Sequence, residues 1–125
     1  MKILVVDDER DVEPLFRMRF RREISNGELE LLFAFSGKEA LETLDEQGKA
    51  DVVLVLSDIN MPGMTGLELL GKIKSVPPPV PVCMMTAYDN DDYRRRAEAL
   101  SCDGYVSKPI DFKALKKTIS EFAAA

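Results

Sequence analysis

Asp58 is the residue whose setting first points to chemistry. An apolar run, Val52 to Leu56, ends in Ser57-Asp58, and Pro62-Gly63 interrupts the chain before the next helical pattern. The carboxylate is therefore expected at the C-terminal end of a strand, the side of an open parallel sheet where helix N-termini and loop amides gather around ligands. Other polar residues stand at equivalent points: Asp7 and Asp8 after Ile3-Leu4-Val5-Val6, Thr86 after Val82-Cys83-Met84-Met85, and Lys108 after Tyr105-Val106-Ser107. Three carboxylates drawn together raise one another's pKa and cost stability unless a cation joins them. Ligation by oxygen alone, with some waters retained, suits Mg²⁺, with Mn²⁺ as the alternative ion. A carboxylate beside such an ion is a competent nucleophile towards phosphorus. In a loose phosphoryl-transfer transition state, neutralising the developing charge is most of catalysis, and Lys108 and the ion would do so. Thr86 adds a hydroxyl that can donate to a phosphoryl oxygen.

Each residue also has a plainer reading. Asp7-Asp8 could cap a helix, Asp58 could serve a turn, Thr86 could cap a loop, Tyr105 could be core and Lys108 could be an ordinary surface lysine. Their coincidence at one end of one sheet favours the joint reading, and the positioning elements can be read from the chain. Ile3 to Val6, Leu29 to Phe35, Asp51 to Ser57, Val80 to Met85 and Tyr105 to Ser107 read as strands, with Thr86 ending the fourth. Helices are expected from Asp11, which can cap the first, to about Ser25, with Leu15, Met18 and Phe20 as apolar positions. Others follow the capping boxes Ser36-x-x-Glu39 and Thr65-x-x-Glu68. A fourth is expected from the acidic start Asp89 to Asp92, with Ala97 and Leu100 inside, and a last one after Asp111. Strands alternating with helices predict a doubly wound α/β fold: five parallel strands, (βα)5, with helices on both faces.

Composition bounds the rest. The 125 residues are 46% hydrophobic and 31% charged, which fits one globular domain over 1–125. No apolar run is long enough to span a bilayer and no signal-peptide pattern opens the chain, so a cytoplasmic protein is expected. Histidine is absent and there are only two cysteines, Cys83 and Cys102, which excludes His-based zinc or nucleophile chemistry and a disulfide framework. A net charge of −5 argues against direct nucleic-acid binding.

Val5-Val6-Asp7-Asp8-Glu9, the stretch Ser57 to Gly66, Met85-Thr86-Ala87 and Ser107-Lys108-Pro109 together closely resemble the receiver domain of two-component response regulators, in that family's order and over essentially the whole chain. The resemblance implies a flavodoxin-like receiver fold in which Asp58 accepts a phosphoryl group from a sensor histidine kinase or histidine phosphotransfer protein. It implies that Asp7, Asp8 and Asp58, with the backbone carbonyl of Asn60, hold Mg²⁺. Thr86 and Lys108 would contact the phosphoryl group, Tyr105 would change rotamer with Thr86, and the Lys108-Pro109 bond would be cis. Ala87 and Tyr88 would border the site, Tyr88 hindering the hydrolytic water. The face made by the fourth helix, fifth strand and last helix would control an unknown downstream partner or effector. A phosphorylation-enhanced homodimer could pair Arg94, Arg95, Arg96, Asp103 and Lys116 across it. No turnover of an external substrate is expected.

The spacing departs from the family's: the intervals around the second strand and before Asp58 are a few residues longer, the latter read here as about one extra strand pleat in Asp51 to Leu56. Three other functions fit the residues less well. A haloacid dehalogenase-type phosphohydrolase needs a second carboxylate where Asn60 stands. A flavodoxin-like binder needs a phosphate loop after the first strand. A pseudo-receiver would not keep the acidic cluster and Lys108.

Overall fold

The computed structural model describes residues 1–87 and 91–124. Five strands, β1 (Lys2–Val6), β2 (Glu30–Ala34), β3 (Val52–Asp58), β4 (Val82–Thr86) and β5 (Gly104–Ser107), form one parallel sheet in the order β2-β1-β3-β4-β5. Helices α1 (Val12–Arg19), α2 (Arg21–Ser25), α3 (Gly37–Gln47), α4 (Gly66–Ser75), α5 (Asp91–Ala99) and α6 (Phe112–Ala124) connect them. The expected doubly wound (βα)5 architecture is therefore present.

Alternation along the strands separates two cores. Leu4, Val6, Val55, Val82 and Met84 face α3, α4 and α5 through Ala40, Leu44, Leu70, Ile73 and Ala97. Ile3, Val5, Leu56, Cys83 and Met85 face the other side, where Phe16 and Phe20, with Leu115 and Ile119 of α6, cover them. Phe112 packs edge-on to Phe16 at 5.2 Å between centroids and to Phe20 at 6.0 Å, so α6 is wedged against α1 by rings. Cations cover the edge of this aromatic layer: Arg19 lies 5.4 Å from the Phe112 ring centre and Lys116 5.3 Å from that of Phe20.

Several expectations are corrected. The first helix does not run unbroken to Ser25: Phe20, at φ −105° and ψ 17°, divides it into α1 and α2. Its buried positions are Val12, Phe16 and Phe20, while Leu15 and Met18 are 39% and 59% exposed. Asp11 precedes α1 without a side-chain cap. Leu100, expected inside, is 38% exposed. Pro81 lies just before β4 and not within it, in keeping with its missing donor.

The long interval before Asp58 is also resolved differently from the expected pleat. A short 3₁₀ turn over Lys49–Asp51 absorbs part of it. The rest is a bulge: Lys2 aligns with Val52 but Ile3 with Leu54, which leaves Val53 as one extra residue. Val53 and Leu54 consequently pack on the same side of the sheet. Because the irregularity sits at the far end of β3, the register from Leu54 to Asp58 is undisturbed.

The other caps behave as read. Ser36 accepts from Glu39 N at 3.1 Å, Thr65 and Glu68 form a reciprocal box, and Asp111 accepts from Ala114 N at 3.1 Å. Gly48, at φ +85°, ends α3. At the sheet end remote from Asp58, Lys74 Nζ lies 2.6 Å from Asp103 Oδ2 and donates to the Val80 carbonyl, while Val82 N donates to the same carboxylate oxygen at 2.8 Å. Replacing Asp103 by Ala strands the Val82 amide and removes the charge partner of Lys74. Urea unfolding of Asp103→Ala should show a loss of about 1–3 kcal/mol; a change within 0.5 kcal/mol would mean that water replaces these bonds without cost.

Candidate functional site

The C-terminal ends of β1, β3, β4 and β5 bring together most of the expected group. Asp7, Asp8 and Asp58 each offer a carboxylate oxygen, and these oxygens lie within 4.8 Å of one another. Asp7 and Asp58 are buried and Asp8 is exposed, so the cluster opens to solvent on one side only. Lys108 Nζ lies 2.8 Å from Asp7 Oδ2 and 3.6 Å from Asp58 Oδ1, bridging the two buried acids. The Lys108-Pro109 bond is cis, as expected, and Lys108 N donates to the Thr86 carbonyl at 2.8 Å. Thr86, buried at the end of β4, pairs with Ser107 across the ladder.

Local backbone holds these groups in place. Asp7 Oδ1 accepts from Glu9 N at 3.0 Å, which fixes the carboxylate from the side opposite Lys108. Beyond Asp58, Ile59 N donates to Met85 O and Ile59 O accepts from Gly66 N at 2.8 Å. A Cβ at Gly66 would fall on the Asp58 carbonyl oxygen. The glycine therefore sets how closely α4 can approach the end of β3, a role that its place in the stretch Ser57 to Gly66 does not by itself announce. Glycine as the first residue after a Thr cap is the signal that could have found it.

Electrostatics follow from this crowding. Burial raises Asp58 from 3.8 to about 6; Lys108 opposes the rise, whereas the neighbouring Asp7 and Asp8 charges add to it. Burial alone would lower Lys108, but its bond to Asp7 and the charges of Asp58 and Asp7 outweigh this and hold the ammonium above its ordinary value. Three carboxylates against one ammonium leave a site rich in negative charge, built wholly of oxygen donors. This donor set fits a hard divalent cation.

Of the remaining expected residues, Tyr105 is half-buried on β5, with the Arg94 guanidinium 4.7 Å from its ring centre. Asn60 is exposed on the loop after β3, and its side chain accepts from the Tyr93 hydroxyl at 3.3 Å, a contact with no signal in the sequence. Ala87 is exposed immediately after Thr86. Tyr88 lies outside the described residues. Among the charges expected to pair across a dimer, Asp103 is engaged with Lys74 and Lys116 with Glu23 at 3.0 Å, both within the chain. Cys83 and Cys102 are free, and burial pushes the Cys83 thiol up to about 12, so neither is a poised nucleophile.

Two outcomes follow. The folded chain retains the Asp58 proton between about pH 4 and pH 6, where the unfolded chain has already released it. Stability from this group is thus complete below pH 3.8 and is lost as pH rises through about 6. The displacement is worth on the order of 3 kcal/mol at about 1.4 kcal/mol per unit. In chelator, Asp58→Asn should therefore gain on wild type between about pH 4 and pH 6.5 in thermal melts; a constant difference would contradict the raised pKa. Gly66→Ala should cost about 1–3 kcal/mol through overpacking, whereas Gly63→Ala, with open space but φ +74°, should cost only about 1 kcal/mol. Equal losses in urea melts would refute the close-approach account.

Comparison with known proteins agrees with this geometry. The family model described as the response regulator receiver domain matches residues 3–120. The chain is 29% identical to the sporulation initiation phosphotransferase F of Bacillus subtilis, covering 97% of this chain and 92% of that protein. It is 34% identical to the response regulator protein FleR of Pseudomonas aeruginosa over 98% of this chain but only 24% of FleR, so it spans about a quarter of that relative's length. The response regulator TrrA of Thermotoga maritima, solved in complex with Mg(2+)-BeF, superposes with a TM-score of 0.77 at 32% identity, with 97% of each chain covered. The chain belongs to the response regulator receiver domain family of two-component signalling.

Proposed function

We propose that this chain is a phosphorylation-dependent switch whose phosphoacceptor is Asp58. The observation that carries this reading is the bridging of Asp7 and Asp58 by Lys108 within a cluster of three carboxylates. Asp7, Asp8, Asp58 and the Asn60 backbone carbonyl would hold Mg²⁺, which would supply neutralisation of the charge on the transferred group. An Asp58 carboxylate oxygen attacks the phosphorus of a phosphohistidine on a sensor kinase or phosphotransfer protein. The P–N bond breaks, its electron pair stays on the imidazole, and the phosphoryl group becomes an acyl phosphate on Asp58. Lys108 moves its attraction from the free carboxylates to the phosphoryl oxygens, and the Thr86 hydroxyl donates to one of them.

The donor must reach Asp58 over a neighbouring surface, and one is suited to it. A groove of about 320 Å³ runs from Asp7 and Lys108 past Val12, Leu15 and Ile110 to Arg19. The exposed Leu15 and Met18, which a closed core would have buried, offer apolar contact for a partner helix along this side.

On the output side, the added charge, about −1.5 to −2, draws Thr86 inward and lets Tyr105 repack. The face of α5, β5 and α6 is then re-weighted for a downstream partner or effector domain, with homodimerisation across it as one outcome. The activity is confined to the chain's own phosphorylation and dephosphorylation, and the reading places it in the cytoplasm; no helix among the described residues is long and apolar enough to cross a membrane.

Incubation with acetyl phosphate and Mg²⁺ should add the mass of one phosphoryl group to the wild type, and none to Asp58→Asn or in excess chelator. Lys108→Ala should reduce uptake at least tenfold, an order-of-magnitude expectation for losing a charge aimed at the transferred group. Uptake by Asp58→Asn equal to wild type would contradict the assignment.

A further inference from the structure

β2 brings no acid or cation to the site, yet the turn that follows it, Phe35-Ser36-Gly37, touches both loops that carry the carboxylates. On the β1 side, Asp7 N donates to the Ala34 carbonyl at 3.1 Å, and the Arg10 guanidinium lies 4.5 Å from the Phe35 ring centre. On the β3 side, Met64 lies along Gly37, the first residue of α3. A Cβ built on this glycine would stand 2.6 Å from Met64 Sδ and 3.0 Å from both Met64 Cβ and Cγ. Every other residue type carries that Cβ, so only glycine admits this approach.

The turn is the fixed side of the contact. Phe35 N donates to Glu39 Oε2 and Glu39 N to Ser36 Oγ, both at 3.1 Å, and α3 is held to the core by Ala40 and Leu44. Met64 belongs instead to a loop closed on itself: Gly66 N donates to Ile59 O at 2.8 Å, and Gly66 lies against the Asp58 carbonyl. Because Met64 Cβ stands at Gly37 as well as the sulfur, turning the thioether alone does not relieve crowding there. The loop backbone must shift, and this loop carries Asn60 and begins at Asp58.

We infer that Gly37 and Met64 are positioning residues for the divalent cation, their contact fixing the loop 59–66 at the separation from Asp7 and Asp8 that the ion requires. The inference rests on the Mg²⁺ site proposed above. Since Asp7 is tied to the same turn through Ala34, residues 34–37 set the spacing between two ligand-bearing loops while supplying no ligand themselves. A methyl group at position 37 acts as a wedge that drives the Asn60 carbonyl and Asp58 away from the other acids. Truncating Met64 gives the wedge room and makes it harmless.

The test is calorimetric titration of Mg²⁺ at a pH where Asp58 is ionised, on wild type, Gly37→Ala, Met64→Ala and the double variant. Gly37→Ala should bind roughly tenfold more weakly, the low end of the loss for residues that orient metal ligands. Met64→Ala, which removes the prop, should bind roughly two- to threefold more weakly, and adding Gly37→Ala to it should change affinity by less than about twofold. In chelator, with no metal involved, hydrogen exchange of the Gly66 amide should be faster in Gly37→Ala than in wild type, with the β1 and β2 amides unchanged. A merely destabilised fold would speed all of these amides and leave the affinity of the folded chain as it was. Wild-type affinity in Gly37→Ala, an equal loss with and without the Met64 side chain, or unchanged Gly66 exchange overturns the inference. If Gly37→Ala does not fold, Met64→Ala decides, and wild-type affinity there overturns it too. A wild type that binds no Mg²⁺ overturns the metal reading itself, a result read separately from the Gly66 exchange.

Discussion

The crowding of three carboxylates around one ammonium is the constraint on which this structure turns. Lys108 can satisfy Asp7 at 2.8 Å but reaches Asp58 only at 3.6 Å, and Asp58 is left desolvated with its proton affinity raised. Such a cluster is costly in isolation. Proteins retain a cost of this kind where a ligand relieves it, and an incoming cation or phosphoryl group changes the balance at Asp58, Lys108 and Thr86 together.

Everything else holds these groups still. The two cores fix the sheet from both sides, and the ring cluster of Phe16, Phe20 and Phe112 locks α6 to α1 beneath the loop that delivers Lys108. The Lys74–Asp103 pair closes the opposite end, far from the chemistry. Gly66 lets α4 start directly against the Asp58 carbonyl.

Much of this was legible in the residues. Apolar runs ending in Asp7, Asp58, Thr86 and Lys108 read correctly because a buried parallel strand has an unmistakable composition and its end must expose polar groups. The capping boxes at Ser36 and Thr65 read correctly because they are local. Leu15 and Met18 misled because helical spacing identifies a stripe without saying which of two adjacent stripes faces inward; Val12, Phe16 and Phe20 form the buried one. The bulge at Val53 has no local signature, since an apolar run is equally compatible with one extra residue or two. The Tyr93–Asn60 and Arg94–Tyr105 contacts join residues distant in sequence, and no pattern within either segment announces them.

The most direct test of the charge-imbalance account is calorimetric titration of Mg²⁺ into the protein at pH 6 in two buffers of different ionisation enthalpy. With Asp58 near half-protonated at that pH, binding should release about half a proton per ion, because the ligand oxygens must be ionised. The release should vanish in Asp58→Asn. Binding without proton release in the wild type, or release unchanged by Asp58→Asn, would contradict the claim that Asp58 is the strained member of the cluster.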